Sequence, residues 1–218
     1  MKKLLSAALI GMLLSFSSAA SAAVSDEDFL RICTDGEIAE IEEALKDGAN
    51  INAKDPNGET PLMGALSEGN EEVAIFLINK GAALNNYSAI GHTPLHIAIT
   101  MTLPDATKLL ISKGADINAT AKDDKGFTPL YHAINCSADE MTTALIKAGA
   151  NPNIATSAEH GASTPLILAI TELSDFVEPL VKAGADVNMK DGEGKSPLQW
   201  AKEKNPDVVS ILKKAGAK

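Results

Sequence analysis

The sequence predicts an all-α solenoid of about six helix-turn-helix units, caps included, joined by projecting β-hairpin-like finger loops. Three observations carry that expectation. Thr-Pro-Leu recurs at Thr60-Pro61-Leu62, Thr93-Pro94-Leu95, Thr128-Pro129-Leu130 and Thr164-Pro165-Leu166, then as Ser196-Pro197-Leu198, at intervals of 33, 35, 36 and 32 residues. Self-similarity at that period marks a stack of small units. Gly-Ala closes each unit, at Gly48, Gly81, Gly114, Gly149, Gly184 and Gly216, and Asn52, Asn85, Asn118, Asn153 and Asn188 follow the first five glycines by four residues.

Each element has its own justification. Residues 1–22 combine Lys2 and Lys3, an apolar run from Leu4 to Phe16 and the ending Ala20-Ser21-Ala22. That order reads as a cleavable signal peptide, and the run falls short of the roughly 20 residues a spanning helix needs. Residues 23–218 then form the repeat domain. A capping unit at 26–55 precedes internal units at 56–88, 89–123, 124–159 and 160–191, and a second cap occupies 192–218. Within a unit, Thr or Ser suits the N-cap and Pro the first helical position. Leu begins a buried stripe that Ala65, Ala98, Ala133, Ala169 and Ala201 continue. Second helices show apolar residues at spacings of three and four, as in Ala106, Leu109 and Leu110. Glycine stops them, and each Asn is expected to bond its own backbone and order the turn. The caps carry polar outer faces, as terminal repeats must.

Three features depart from regularity. Gly to the next Thr or Ser is 12 residues in three units but 14 from Gly114 to Thr128 and 15 from Gly149 to Thr164. These longer fingers, at 120–127 and 154–163, are read as additions on the binding face. Pro179 falls inside a second helix, which is expected to start late or kink.

Charge and composition limit the chemistry. Removal of residues 1–22 leaves 17 basic against 29 acidic side chains, a net −12 compared with −10 for the whole chain. Such a chain has no electrostatic reason to bind nucleic acid or an anionic membrane. Cys33 and Cys136 lie three units apart, so no internal disulfide is expected; Cys33 reads as a buried hydrophobe and Cys136 as accessible. His92, His132 and His160 read as scattered, and no histidine pair is expected to form a zinc site; no C-x-x-C, G-x-S-x-G or phosphate loop occurs. No cofactor is expected, and the pattern points away from catalysis.

These motifs resemble the ankyrin repeat family. Gly91-His92-Thr93-Pro94-Leu95-His96-Ile97-Ala98 matches that family's pattern best, completed by Gly114-Ala115-Asp116-Ile117-Asn118 and Gly184-Ala185-Asp186-Val187-Asn188. The resemblance spans about residues 26–218. It implies a structural, hydrogen-bonding role for His96 and a protein partner met by finger tips and the exposed side of the first helices. Aligned on the repeats, Tyr87, Ile90 and His92 on the finger that leads into the third unit's first helix, Met101 near the end of that helix, and Phe127, Tyr131, His132 and Cys136 at comparable places in the fourth unit form the expected partner-binding set. Trp200 is expected to shield the last layer. The expected function is non-enzymatic: a monomeric periplasmic or extracellular binding protein, most specifically an inhibitor or immunity protein for a hydrolase or toxin. The alternative is a scaffold or oxidative-stress factor acting beside an antioxidant enzyme, with Cys136 as its feature; a third is a secreted effector.

Overall fold

The computed structural model describes residues 24–218; the expected signal peptide lies outside the described residues. Each Thr-Pro-Leu starts a helix for a local reason. The hydroxyl of Thr60 accepts the Met63 N–H (3.3 Å), Thr128 that of Tyr131 (3.2 Å), Thr164 that of Ile167 (3.2 Å) and Ser196 that of Gln199 (3.3 Å). An orphan donor of the first turn is thereby satisfied, and Pro supplies a helical φ where no donor is needed.

Among the described residues twelve α-helices form six pairs. The N-terminal pair is α1 (Asp26–Asp35) and α2 (Ile38–Lys46). Next come α3 (Pro61–Ser67) with α4 (Glu71–Asn79), α5 (Pro94–Thr100) with α6 (Pro104–Ser112), and α7 (Pro129–Asn135) with α8 (Asp139–Lys147). The last are α9 (Pro165–Glu172) with α10 (Val177–Lys182) and α11 (Pro197–Lys204) with α12 (Val209–Lys214). First helices stack on first helices and second helices on second, so each unit meets mainly its neighbours. Leu62, Leu95, Leu130, Leu166 and Leu198 line the seam with the five alanines, all buried. Each leucine withdrawn from water contributes roughly 1.5–3 kcal/mol. Cys33 sits in this core, where burial pushes its thiol up to about 12. Cys136 is exposed, and both cysteines are free, as expected.

The fingers contain no strand among the described residues. Each closes with a hairpin-type bond, such as Ser88 N–H to His92 O (2.8 Å) and Ala121 N–H to Phe127 O (2.8 Å). Neighbouring fingers are stitched together by Lys122 N–H to Gly91 O (2.8 Å), Ser157 N–H to Lys125 O (2.9 Å) and Gly192 N–H to Gly161 O (2.8 Å). Gly91 has φ +80°, and a Cβ there would lie 2.6 Å from the Lys122 backbone. Only glycine permits that approach.

The recurring turn asparagines act differently from expectation. Each Asn side chain reaches the next unit, not its own turn. Asn52 accepts from Ala83 N (2.8 Å), Asn85 from Asp116 N (2.9 Å), Asn118 from Asn151 N (2.8 Å), Asn153 from Asp186 N (2.7 Å) and Asn188 from Lys218 N (2.9 Å). The local turn bond comes from the residue two earlier: Asp116 accepts the Asn118 N–H at 3.0 Å and Asp186 that of Asn188 at 2.8 Å. The asparagines are therefore a spine of inter-unit clamps. Pro179 is resolved by a late start. A 3-10 turn, Ser174–Phe176, precedes α10, so Pro179 lies in the first turn of that helix. Trp200 packs partly buried against the last layer, its Nε1 donating to Asp191 at 2.6 Å under Lys195.

Candidate protein-interaction surface

The expected binding residues separate by exposure. Ile90 (66% exposed) and Met101 (40%) are the only exposed large hydrophobic side chains among the described residues. Ile90 lies in the finger before α5, and Met101 caps the C-terminal end of that helix. Cys136 occupies the same cap position on α7. Partial burial raises the Cys136 thiol above its ordinary value, so the thiolate that redox chemistry needs is disfavoured.

The turns beside these caps are strained. Thr102 has φ +55° and Ser137 φ +52°, where the preceding unit has Gly69 at +71°. A side chain in that region costs about 1–2 kcal/mol. Both side chains are exposed.

Tyr87 and His92 are half-buried and already engaged by the following finger. The Tyr87 hydroxyl donates to Thr120 O at 3.3 Å, and Lys122 Nζ lies 3.7 Å above its ring, a cation–π contact. His92 Nε2 lies 3.4 Å from Asp123 Oδ2. The Asp123 carboxyl is held below its usual range. Burial opposes its charge, but hydrogen bonds from the Gly126 N–H, His92 and the Lys125 N–H outweigh that opposition.

Phe127, Tyr131 and His132 correct the expectation, because all three are buried. Tyr131 occupies the place that Met63, His96 and Ile167 hold in their units, a core-facing position throughout. Phe127 turns inward onto Tyr131, ring centroids 4.7 Å apart, with His160 against its edge at 5.3 Å. The longer fingers supply these contacts: Asp123 lies in one and His160 in the other. Their extra residues therefore bind neighbouring fingers at least as much as they enlarge a free surface.

The histidines are not scattered. His92, His96 and His132 converge, with centroids 5.6, 5.8 and 6.0 Å apart. His92 and His96 are in fact four residues apart in sequence, but one lies in a finger and the other in α5. Hydrogen-bond logic fixes two tautomers. His96 Nε2 lies 2.9 Å from Phe127 O, which only accepts, so Nε2 carries the proton and Nδ1 accepts from Thr93 Oγ1 (2.8 Å). Thr100 Oγ1 donates to His96 O (2.9 Å) and so accepts from His132 Nε2 (2.8 Å). That leaves His132 Nδ1 a buried acceptor without a partner. Burial chiefly, with the neighbouring histidines, pushes both His96 and His132 down to about 4. His96 thus has the structural role the resemblance implied. Among the described residues no three histidine, cysteine or acidic side chains are placed to hold a metal ion, and no helix is long and apolar enough to cross a membrane.

Thr100, Asp123 and Lys122 were absent from the sequence-derived set. Their signal was present in the repeat: His92 and Asp123 are 31 residues apart, and Thr100 and His132 are 32 apart. One period places them side by side.

Comparison with known proteins bears on this surface. A family model described as ankyrin repeats (3 copies) matches residues 30–121, and one described as ankyrin repeat matches 125–157 and 163–192. Comparison with curated proteins gave no match. Among solved structures, an ankyrin repeat domain from Acinetobacter baumannii AYE is 29% identical, with TM-score 0.79, covering 89% of this chain and 100% of that one. A chain from the complex of the Bd0816 predatory endopeptidase of Bdellovibrio bacteriovorus with immunity protein Bd3460 is 28% identical, with TM-score 0.69. The match covers 91% of this chain and 99% of that one. The human ASB11 ankyrin repeat domain, 24% identical with TM-score 0.67 over 87% and 84% of the two chains, shares the fold.

Proposed function

This chain belongs to the ankyrin repeat family, and from that premise we propose that it is an exported inhibitor or immunity protein that binds a hydrolase, most specifically a peptidase. The observation that carries the reading is the pairing of Ile90 and Met101 as the exposed large hydrophobics, both on the third unit. Apolar side chains held on a rigid face are the usual anchors of an interface. The likeness to a chain from an endopeptidase–immunity complex, over nearly the full length of both, supports a peptidase as the partner class. The protein supplies no chemistry in this reading and acts by covering the enzyme. Export to the periplasm is part of the proposal and rests on the residue order at 1–22. A stress-protection role has less support, since its sequence feature, Cys136, has a thiol raised rather than activated.

Affinity capture from periplasmic extract, with bound proteins identified by mass, tests the reading. A peptidase or other hydrolase is expected on the wild-type protein and is expected to be lost on an Ile90→Asp/Met101→Glu variant. Recovery from the cytoplasmic fraction alone, or capture of an antioxidant enzyme in place of a hydrolase, would contradict it.

A further inference from the structure

Three histidines meet where the third unit packs on the fourth, and two of them are committed to a neutral state by geometry. His96 uses both ring nitrogens, one as donor to Phe127 O and one as acceptor from Thr93. His132 donates through Nε2 to Thr100, and its Nδ1 is buried with no partner. A second proton on His132 would have to sit on that enclosed nitrogen, with the other two rings about 6 Å away. The bonds that join the two units here, His96 to Phe127 and His132 to Thr100, run through these same rings.

We propose that the His92–His96–His132 junction is an acid-sensitive hinge: protonation parts α5 from α7 and opens the solenoid at that one interface. A stack held by nearest-neighbour contacts can open at a single seam while the units on either side persist. The groups that face the cluster leave it poised. Asp116 and Asp123 favour a charged His96, and Asp123 favours a charged His132. Lys125 and the mutual repulsion of the rings oppose it. Beyond Phe127, Tyr131 and His160 are in contact with that ring, and Glu172 of α9 acts on Tyr131. Burial pushes both inner histidines to about 4, so the closed junction excludes the proton that an opened one accepts near 6.5. The seam between the second and third units has buried Met63 where this one has His96; the carboxylates that bond across it, Glu59 to the Ala89 N–H and Glu71 to the Asp105 and Ala106 N–H groups, lie outside that core position. Opening would divide the exposed surface of the third unit from that of the fourth.

Hydrogen exchange of the full chain at pH 7.5 and 5.0, corrected for intrinsic rates, tests the hinge. Amides of α5 and α7 are expected to lose protection by about 30-fold for each histidine freed, while α3 and α11 lose little. His132→Phe is expected to remove its own roughly 30-fold share and leave that of His96, and His160→Phe to retain both. Equal loss in every helix, no loss at α5 and α7, or an undiminished loss in His132→Phe would overturn the proposal. If His132→Phe does not fold, the wild-type profile across the helices decides alone.

Discussion

The seam between the second and third units and the seam between the third and fourth share a backbone and differ in chemistry. At the first, the residue after Pro-Leu is Met63, fully buried, with no polar atom requiring a partner. At the second the equivalent residues are His96 and Tyr131, joined by His132, Phe127 and the polar chain through Thr100. A methionine needs only contact, whereas an imidazole needs its tautomer, both its partners and a neutral charge. Charge divides the molecule in the same region. Residues 24–80 hold 14 acidic against 4 basic side chains, net −10, and residues 81–218 hold 15 against 13, net −2. The repeat fixes where side chains go and leaves open what holds each seam together.

The largest expected effects are on packing and should not distinguish the seams. Leu62→Ala and Leu130→Ala each remove a fully buried side chain and are expected to cost about 3 kcal/mol at pH 7.5, read from urea midpoints. Markedly unequal losses would show that the seams differ in packing as well as in polarity. The pH response should separate them. His96 and His132 bind protons near 6.5 when unfolded and at about 4 when folded. Full stability is therefore present above pH 6.5 and is lost progressively as pH falls toward 4. At pH 5 the loss is about 2 kcal/mol per histidine, and His132→Phe should recover its share in urea melts.

Most of the scaffold was legible because its rules are local. Thr60, Thr128 and Thr164 cap the helices they precede, and Cys33 is buried where the apolar stripe placed it. What failed was contact between units. Asn118 was assigned to its own turn because a turn role follows from the chain alone, whereas its true acceptor role depends on how far the next unit is displaced. The histidines looked separate for the same reason, one repeat period being a neighbour in space. Tyr131 was misplaced although alignment with Met63 and Ile167 could have revealed a core position. An aromatic residue suits a core position and an interface equally well. Phe127 had no such guide, since the longer finger that turns it inward has no counterpart in the second unit. Ile90 and Met101 are exposed because both lie where regular units leave side chains open to solvent.

Smaller effects sharpen the same contrast. Asn118→Ala removes the clamp between the third and fourth units, and Asn52→Ala its counterpart nearer the N-terminus. Each is expected to cost about 1 kcal/mol. A larger cost at Asn118 would mark that seam as the one with least to spare. Thr102→Gly and Ser137→Gly relieve left-handed backbone and are expected to gain up to about 1 kcal/mol. A stabilised Thr102→Gly variant that binds its partner less well would assign the strained side chain to the interface.

The proposed function has the exposed Ile90 and Met101 of the third unit meeting a hydrolase. Titrating the captured peptidase with purified protein, while following cleavage of a peptide substrate, tests it most directly. Wild-type protein is expected to abolish activity at a one-to-one ratio, and the Ile90→Asp/Met101→Glu variant to need at least about tenfold more, a shift of roughly 1.4 kcal/mol. Undiminished cleavage at saturating wild-type protein, or equal inhibition by the variant, would contradict it.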